Sequence, residues 1–407
     1  MTEITNKRNK GEVPMTDQRR VGRWRSGAVL VAALAMLTVA CSSNSTTNET
    51  TGAGGSTATA TAPGTEGTAI GFIFVGPKDD VGYNQAAYDG SQEVAKAYPN
   101  LKVLTAENVP ETDDATRVME DMISKGAKII FATSYGHLDP ATAVAAAHPD
   151  VVVVQQGNLI KGAVPANLGT YFGTVYEPVF LAGIAAGKAT RTNKLGYVYA
   201  FPITQTTENI DAFQLGAASV NPAVQTFTVA TSAWCDPGKQ AAAADSLLAE
   251  GVDVISQHQD CTKTIIEKAE AKGAFTVGYH ADGSGLAPKG WLTGSEWKWG
   301  PLYVDIVKTV LAGGFTGSKY NDNYRVGLKT GDNPFVQSKY GPSVTDETKA
   351  QIEAAKAAIS LPDGSPFKGP VVDQDGKTIF PAGMTPDYVA IESQTFFVQG
   401  VVGKLPT

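Results

Sequence analysis

Aromatic, acidic and amide side chains recur just after the short apolar runs of this 407-residue chain. Asp80, Tyr83 and Asn84 share the stretch Gly76-Pro77-Lys78-Asp79-Asp80-Val81-Gly82-Tyr83-Asn84. Ser134 and Tyr135 lie in Thr133-Ser134-Tyr135-Gly136-His137-Leu138-Asp139-Pro140, and Trp234 and Asp236 in Ser232-Ala233-Trp234-Cys235-Asp236-Pro237. Further along come Gln257-His258-Gln259-Asp260-Cys261, then His280-Ala281-Asp282, then Trp297-Lys298-Trp299-Gly300-Pro301. An aromatic plate on each wall of a cleft could hold a flat heterocycle, each stacking contact contributing roughly 1–3 kcal/mol. Carboxylates and amides could take ring donors and an exocyclic amine, which is how a polar site becomes selective.

Each of these residues also has a plainer reading. Asp139-Pro140 and Asp236-Pro237 look like a helix N-cap followed by a first-turn proline. Tyr135 could be a core residue. Trp297 and Trp299 are two apart, so only one can face a given wall. Catalysis has less support. There is no Gly-x-Ser-x-Gly elbow, no phosphate loop and no Cys/His cluster with metal spacing, and the four histidines are scattered. We therefore expect no enzyme activity, no metal and no cofactor.

These loops must be held by a scaffold. Apolar, β-branched runs at 69–75, 101–104, 127–132, 151–154, 195–199, 224–229, 252–255 and 275–279 read as strands. Helical spacing fills the gaps at 85–98, 115–125, 141–147, 238–250 and 262–272. Such alternation predicts an α/β fold with parallel sheets covered on both faces. The length exceeds what one core usually serves. A polar stretch, Arg191-Thr192-Asn193-Lys194, looks like a crossing, and the pattern turns irregular after Gly283. We expect two doubly wound lobes joined by crossover segments: 69–192 plus about 283–320, and 193–282 plus about 321–407. In such sheets ligands sit beyond the carboxyl ends of the strands, where the candidate residues lie.

The N-terminus reads as an address. Basic residues from Lys7 to Arg25 precede an apolar run over 28–40, too short to span a ~30 Å bilayer core comfortably. The run ends at Leu37-Thr38-Val39-Ala40-Cys41. This resembles a lipobox, and implies a signal peptide over 1–41 and lipidation of Cys41. Met15 would give a signal of ordinary length. Residues 42–68 are mostly Ser, Thr, Asn, Gly and Ala, a composition that makes a flexible tether. The expected product is extracytoplasmic and anchored to the cell membrane. Its net charge of −7 and the lack of a basic stripe after the leader argue against nucleic acid as a partner.

The chain from about Gly71 onward resembles the basic membrane protein family of ABC-transporter substrate-binding lipoproteins, which includes purine nucleoside receptors. The resemblance rests on Asp80-Val81-Gly82-Tyr83-Asn84, Thr133-Ser134-Tyr135-Gly136, Tyr171-Phe172-Gly173, Tyr176-Glu177 and Leu181-Ala182-Gly183. Val220-Asn221-Pro222, Trp234 with Asp236-Pro237, Gln257-His258, Trp297-Lys298-Trp299-Gly300-Pro301 and Phe367-Lys368-Gly369-Pro370 extend it. It implies a type I periplasmic-binding fold, a purine-like ligand, an ABC permease as partner and a monomer. By the same resemblance Tyr83 stacks on the ligand and Asn84 hydrogen-bonds it. Trp234 is the opposite plate, and His280 or Asp282 stands for a loop acid. The chain departs from the nucleoside receptors at Val75-Gly76-Pro77, where they carry a further Asp, and at Trp297, where they carry a ribose-contacting Lys. These departures favour a bare base, and the Trp-x-Trp-Gly-Pro branch resembles proteins linked to adenine. A membrane-tethered sensor of the same fold, or a carrier for another small polar ligand, is the alternative.

With Cys41 lipidated, Cys235 and Cys261 are the remaining thiols, in a compartment where disulfides persist. Both follow strand-like runs of one βαβ unit. Neighbouring strands lie ~4.8 Å apart, so cysteines just past their ends could meet the usual Cα separation of ~5.5 Å. A disulfide between them is expected.

Overall fold

The computed structural model describes residues 61–330 and 334–405. The expected signal, its lipobox and Cys41 lie outside the described residues. The end of the expected tether does not behave as a tether. Gly64 N–H donates to the Asp150 carbonyl at 2.9 Å and Thr68 N–H to that of Gly126 at 3.1 Å, so 61–68 dock on the first lobe. Composition missed this because the anchoring bonds are made by backbone.

In chain order the first elements are β1 (Ala69–Ile73), α1 (Tyr83–Ala97), β2 (Lys102–Ala106), α2 (Asp113–Ser124), β3 (Ala127–Ala132), α3 (Leu138–Ala147), β4 (Val152–Gln156) and β5 (Leu168–Gly173). Next come α4 (Tyr176–Ala189), β6 (Lys194–Tyr199), α5 (Thr204–Val220), β7 (Gln225–Ala230), α6 (Pro237–Ala249), β8 (Val254–His258), α7 (Lys263–Ala271), β9 (Phe275–Gly278) and β10 (Trp291–Trp297). The last are α8 (Gly300–Leu311), β11 (Asn323–Val326), β12 (Phe335–Gln337), α9 (Asp346–Ile359), β13 (Val371–Val372), β14 (Thr378–Phe380), α10 (Tyr388–Ile391) and β15 (Val401–Val402).

The strands form two large sheets and one small one, the antiparallel pair β13-β14. One large sheet runs β11-β5-β4-β3-β1-β2, all parallel; the other runs β12-β10-β9-β8-β6-β7-β15, parallel except for β12 at its edge. Around β1 and around β6 the strand order is that of a doubly wound sheet, with switch points between β1 and β3 and between β6 and β8. The central strands are buried throughout, as parallel strands covered on both faces must be.

The lobe limits differ from the expected ones at each crossing. The chain leaves the first lobe between β5 and α4, not near 192, because α4 packs on α5, α9 and β10. Gly183 and Gly187 bring α4 against the backbone of Phe213 and Ala217, leaving no room for a Cβ. The segment after Gly283 stays in the second lobe through β10, and the return comes at α8, which packs on α1. β11, expected in the second lobe, is an edge strand of the first.

A disulfide joins Cys235 and Cys261, whose Cα atoms are 5.1 Å apart. It ties the segment ahead of α6 to the one ahead of α7, both beside Trp234. Intact-mass measurement with and without reductant is expected to differ by two hydrogens; two free thiols before reduction would refute the bond.

Candidate ligand-binding site

The loops at the carboxyl ends of the strands face one another across a cleft. Tyr83, Ser134, Tyr135 and Phe172 line it from the first lobe; Gln205, Trp234, His258, Asp260 and His280 line it from the second. The space they leave is about 20 Å³, little more than one water molecule occupies. The cleft is shut, and a ligand the size of a purine enters only if the lobes part.

The closure has specific contacts. Asn84 Nδ2 donates to Asp260 Oδ2 at 3.2 Å, Thr262 Oγ1 to the Val81 carbonyl at 2.6 Å and Trp234 Nε1 to Glu111 Oε2 at 3.3 Å. Gln205 donates to the Gly157 carbonyl. Three non-glycine residues in these loops, Val81, Ser232 and His280, have φ of 50°, 54° and 71°. Such backbone is costly and persists where surrounding contacts over-determine it, often at functional sites.

Five of the eleven expected ligand residues line the cleft: Tyr83, Ser134, Tyr135, Trp234 and His258. The other six do not. Asp80 starts α1: its carboxylate accepts from Asn84 N–H at 3.2 Å and Gln85 N–H at 3.0 Å. Asn84 is consumed by Asp80 at 2.8 Å, by Asp260 and by Gly76 N–H at 3.1 Å, so its amide latches the lobes instead of facing a ligand. Asp236 caps α6, accepting from Lys239 N–H at 3.0 Å. Gln257 donates to the Thr262 carbonyl inside the second lobe at 3.1 Å. Asp282 lies outside the lining, exposed and paired with Lys339 at 3.2 Å. Trp297 is buried one layer behind His280, to which its Nε1 donates at 2.9 Å.

Asp260, Gln205 and Phe172 are cleft residues that the sequence did not single out as ligand contacts, and of the two residues offered for the loop acid, His280 lines the cleft and Asp282 does not. Glu111 stands just behind, accepting from Ser134 Oγ at 2.6 Å and Gly136 N–H at 2.7 Å as well as from Trp234. The quoted stretches Gln257–Cys261 and Tyr171-Phe172-Gly173 held a signal for Asp260 and Phe172; none pointed to Gln205.

The electrostatics are acidic and dry. Burial, and then the charges of Asp80 and Glu111, push the Asp260 carboxyl well above its ordinary range. Burial raises Asp80 to about 6, against four hydrogen bonds that favour its charge. Burial lowers the His258 ring to about 3. No Lys or Arg lines the cleft among the described residues. Such a site rejects phosphates and carboxylates and suits a neutral or cationic ligand with N–H or O–H donors. Among the described residues there is no group of side chains able to hold a metal ion, and no helix long and apolar enough to cross a membrane.

The family described as ABC transporter substrate-binding protein, PnrA-like, matches residues 68–360. A purine-binding protein of Brucella abortus is 34% identical over 83% of this chain and 93% of its own length. A putative ABC transporter glucose-binding protein of Haloferax volcanii is 32% identical over 83% of this chain and 81% of its own. An ABC transporter solute-binding protein of Aeropyrum pernix superposes with a TM-score of 0.59 at 21% identity, over 73% of this chain and 82% of that one, and shows the fold. The chain is a binding protein and not an enzyme: it belongs to the Bmp family of ABC transporter substrate-binding proteins.

Proposed function

We propose that the interlobe cleft captures a purine-like base or nucleoside and presents it to an ABC permease, with the protein held outside the cell membrane by a lipid on Cys41. One observation carries the ligand class: aromatic rings from both lobes, Tyr83, Tyr135 and Phe172 against Trp234, converge on a buried acid, and among the described residues no Lys or Arg lines the cleft. A flat ring stacks between the plates, and Asp260 takes its N–H donors. The Brucella abortus relative, named for purine binding, supports this reading. The Haloferax volcanii relative is named for glucose, and an aromatic face with an acid and an amide also fits a sugar.

Calorimetry with adenine, hypoxanthine, adenosine, inosine and glucose tests the choice. A base or nucleoside is expected to bind, and Trp234→Ala to weaken it by roughly 1–3 kcal/mol, one stacking contact. Heat with glucose alone, or wild-type affinity in Trp234→Ala, defeats the purine reading. The anchor is tested separately. Cys41→Ala is expected to abolish labelling by a fatty-acid analogue and to release the protein from membranes; a mutant labelled like wild type rules the lipid out.

A further inference from the structure

His280 follows β9 and lines the cleft from the second lobe. It is almost fully buried, and its Nε2 has no hydrogen-bond partner among the described residues. Its other ring nitrogen is occupied: Trp297 Nε1 donates to Nδ1 at 2.9 Å. Indole N–H can only donate, so Nδ1 must accept and cannot carry a proton. A neutral imidazole with Nδ1 accepting carries its proton on Nε2.

Trp297 grips His280 a second time, through its backbone N–H to the His280 carbonyl at 3.0 Å. The indole is itself immobilised, stacked on Trp299 at 4.3 Å and packed on Phe335 at 3.9 Å and Phe172 at 4.9 Å. This clamp holds His280 in its left-handed backbone at φ 71°. The side chains around the ring are His258, with ring centroids 5.7 Å away, Tyr83 at 5.1 Å and Tyr279 at 3.8 Å. None of them forms a hydrogen bond to Nε2. Burial, followed by the neighbouring His258, lowers the His280 pKa well below its ordinary value, so the ring stays neutral at physiological pH.

We infer that His280 is a specificity-determining residue whose tautomer is fixed by Trp297, and that its Nε2–H donates to an acceptor in the plane of the bound heterocycle, a ring nitrogen or carbonyl oxygen. Trp297 is the positioning residue. The inference rests on the cleft being the ligand site. It adds to the donor-seeking carboxylate of Asp260 a fixed donor from the same lobe. The ligand must then offer donors on one edge and an acceptor on another, a pattern that aminopurines and oxopurines meet. A ligand edge bearing C–H in place of the acceptor leaves a buried N–H unpaired, and that asymmetry gives discrimination.

The deciding measurement needs no ligand. In protein with 15N-labelled histidine, His280 is expected to give the shifts of a neutral ring protonated on Nε2 at neutral pH. Trp297→Phe, which keeps an aromatic ring but removes the donor, is expected to give a tautomer mixture. A wild-type ring protonated on Nδ1, or a cation at neutral pH, overturns the inference. Calorimetry then compares adenine with 1-, 3- and 7-deazaadenine. One replacement of ring nitrogen by C–H is expected to weaken wild type roughly tenfold or more and to leave His280→Phe nearly unaffected. Equal losses in both proteins overturn the donor role. If His280→Phe does not fold, the same comparison in Trp297→Phe is expected to show a reduced loss, and an unchanged loss counts against the proposal. Absence of heat with adenine and hypoxanthine removes the purine reading, whereas the ligand-free tautomer still decides this one.

Discussion

Gly82→Ala is expected to weaken ligand binding by about a hundredfold while leaving the unfolding midpoint close to wild type. Gly82 precedes α1 in the first lobe, with φ of −162°, an extended backbone that any residue adopts. The constraint lies across the cleft. A Cβ on Gly82 would fall on the carbonyl oxygen of Asp260 in the second lobe, far inside the 3.0 Å that real Cβ atoms keep. The opposing loop cannot yield easily. Asp260 N–H donates to the Trp234 carbonyl at 3.0 Å, and the neighbouring Cys261 is bonded to Cys235. The lobes must therefore stay apart. Neither core is touched, since Gly82 packs in no apolar cluster. If the liganded state keeps this approach of Gly82 to Asp260 while the lining rings make room, and falls to ~1% of the population, apparent affinity falls about a hundredfold. Calorimetry and solution scattering check this. A Gly82→Ala protein that binds as tightly as wild type would show that this closed arrangement is not the liganded one.

The same contact shows how far the sequence could be read. The alternation of strands and helices, and the rule that ligands sit at strand ends, led to the right loops. Choosing residues within them needed facts that arise only between distant segments. Asn84 looked like a ligand contact by the family resemblance, and Asp80 by its place in the same loop; the start of α1 satisfies Asp80, while Asn84 is held by Asp80 and Gly76 nearby and by Asp260 from 176 residues away. His280 and Asp282 are two apart, and the positive φ of His280 decides which turns inward. Trp297 lies on a strand buried on both faces, so no alternation shows which side its ring takes. The lobe boundary failed for a related reason. α4 is buried along most of its length, so its apolar residues make no stripe pointing to a sheet.

Arg325→Met is expected to destabilise the protein by about 3–5 kcal/mol, the usual cost of removing one partner from a buried ion pair. Arg325 lies on β11, an edge strand of the first lobe, and Glu392 directly follows α10; their side chains are 2% and 3% exposed. The guanidinium donates through Nε to Glu392 Oε1 at 2.8 Å and through Nη2 to the Gly157 and Asn158 carbonyls at 3.2 and 3.0 Å. It also offsets a second acid. Glu208, at the start of α5, is buried and pushed well above its ordinary range by burial and then by the Glu392 charge, while Arg325 pulls it down. Removing Arg325 leaves two buried carboxyls with no cation, and they escape only by holding protons. The sign of the pH dependence follows. Glu392 is already raised above 4.5 by burial, against the pull of Arg325, and without Arg325 it rises further. The folded variant then binds more protons than the unfolded chain, so its stability falls as pH rises through the folded pKa and the deficit disappears below the unfolded one. Urea unfolding at pH 5 and pH 8 should show a larger deficit at pH 8. The double variant Arg325→Met with Glu392→Leu should recover part of the loss, because the buried charge itself is gone. A single variant as stable as wild type at pH 8, or a double variant weaker than the single, would mean that the pair does not carry the stability assigned to it.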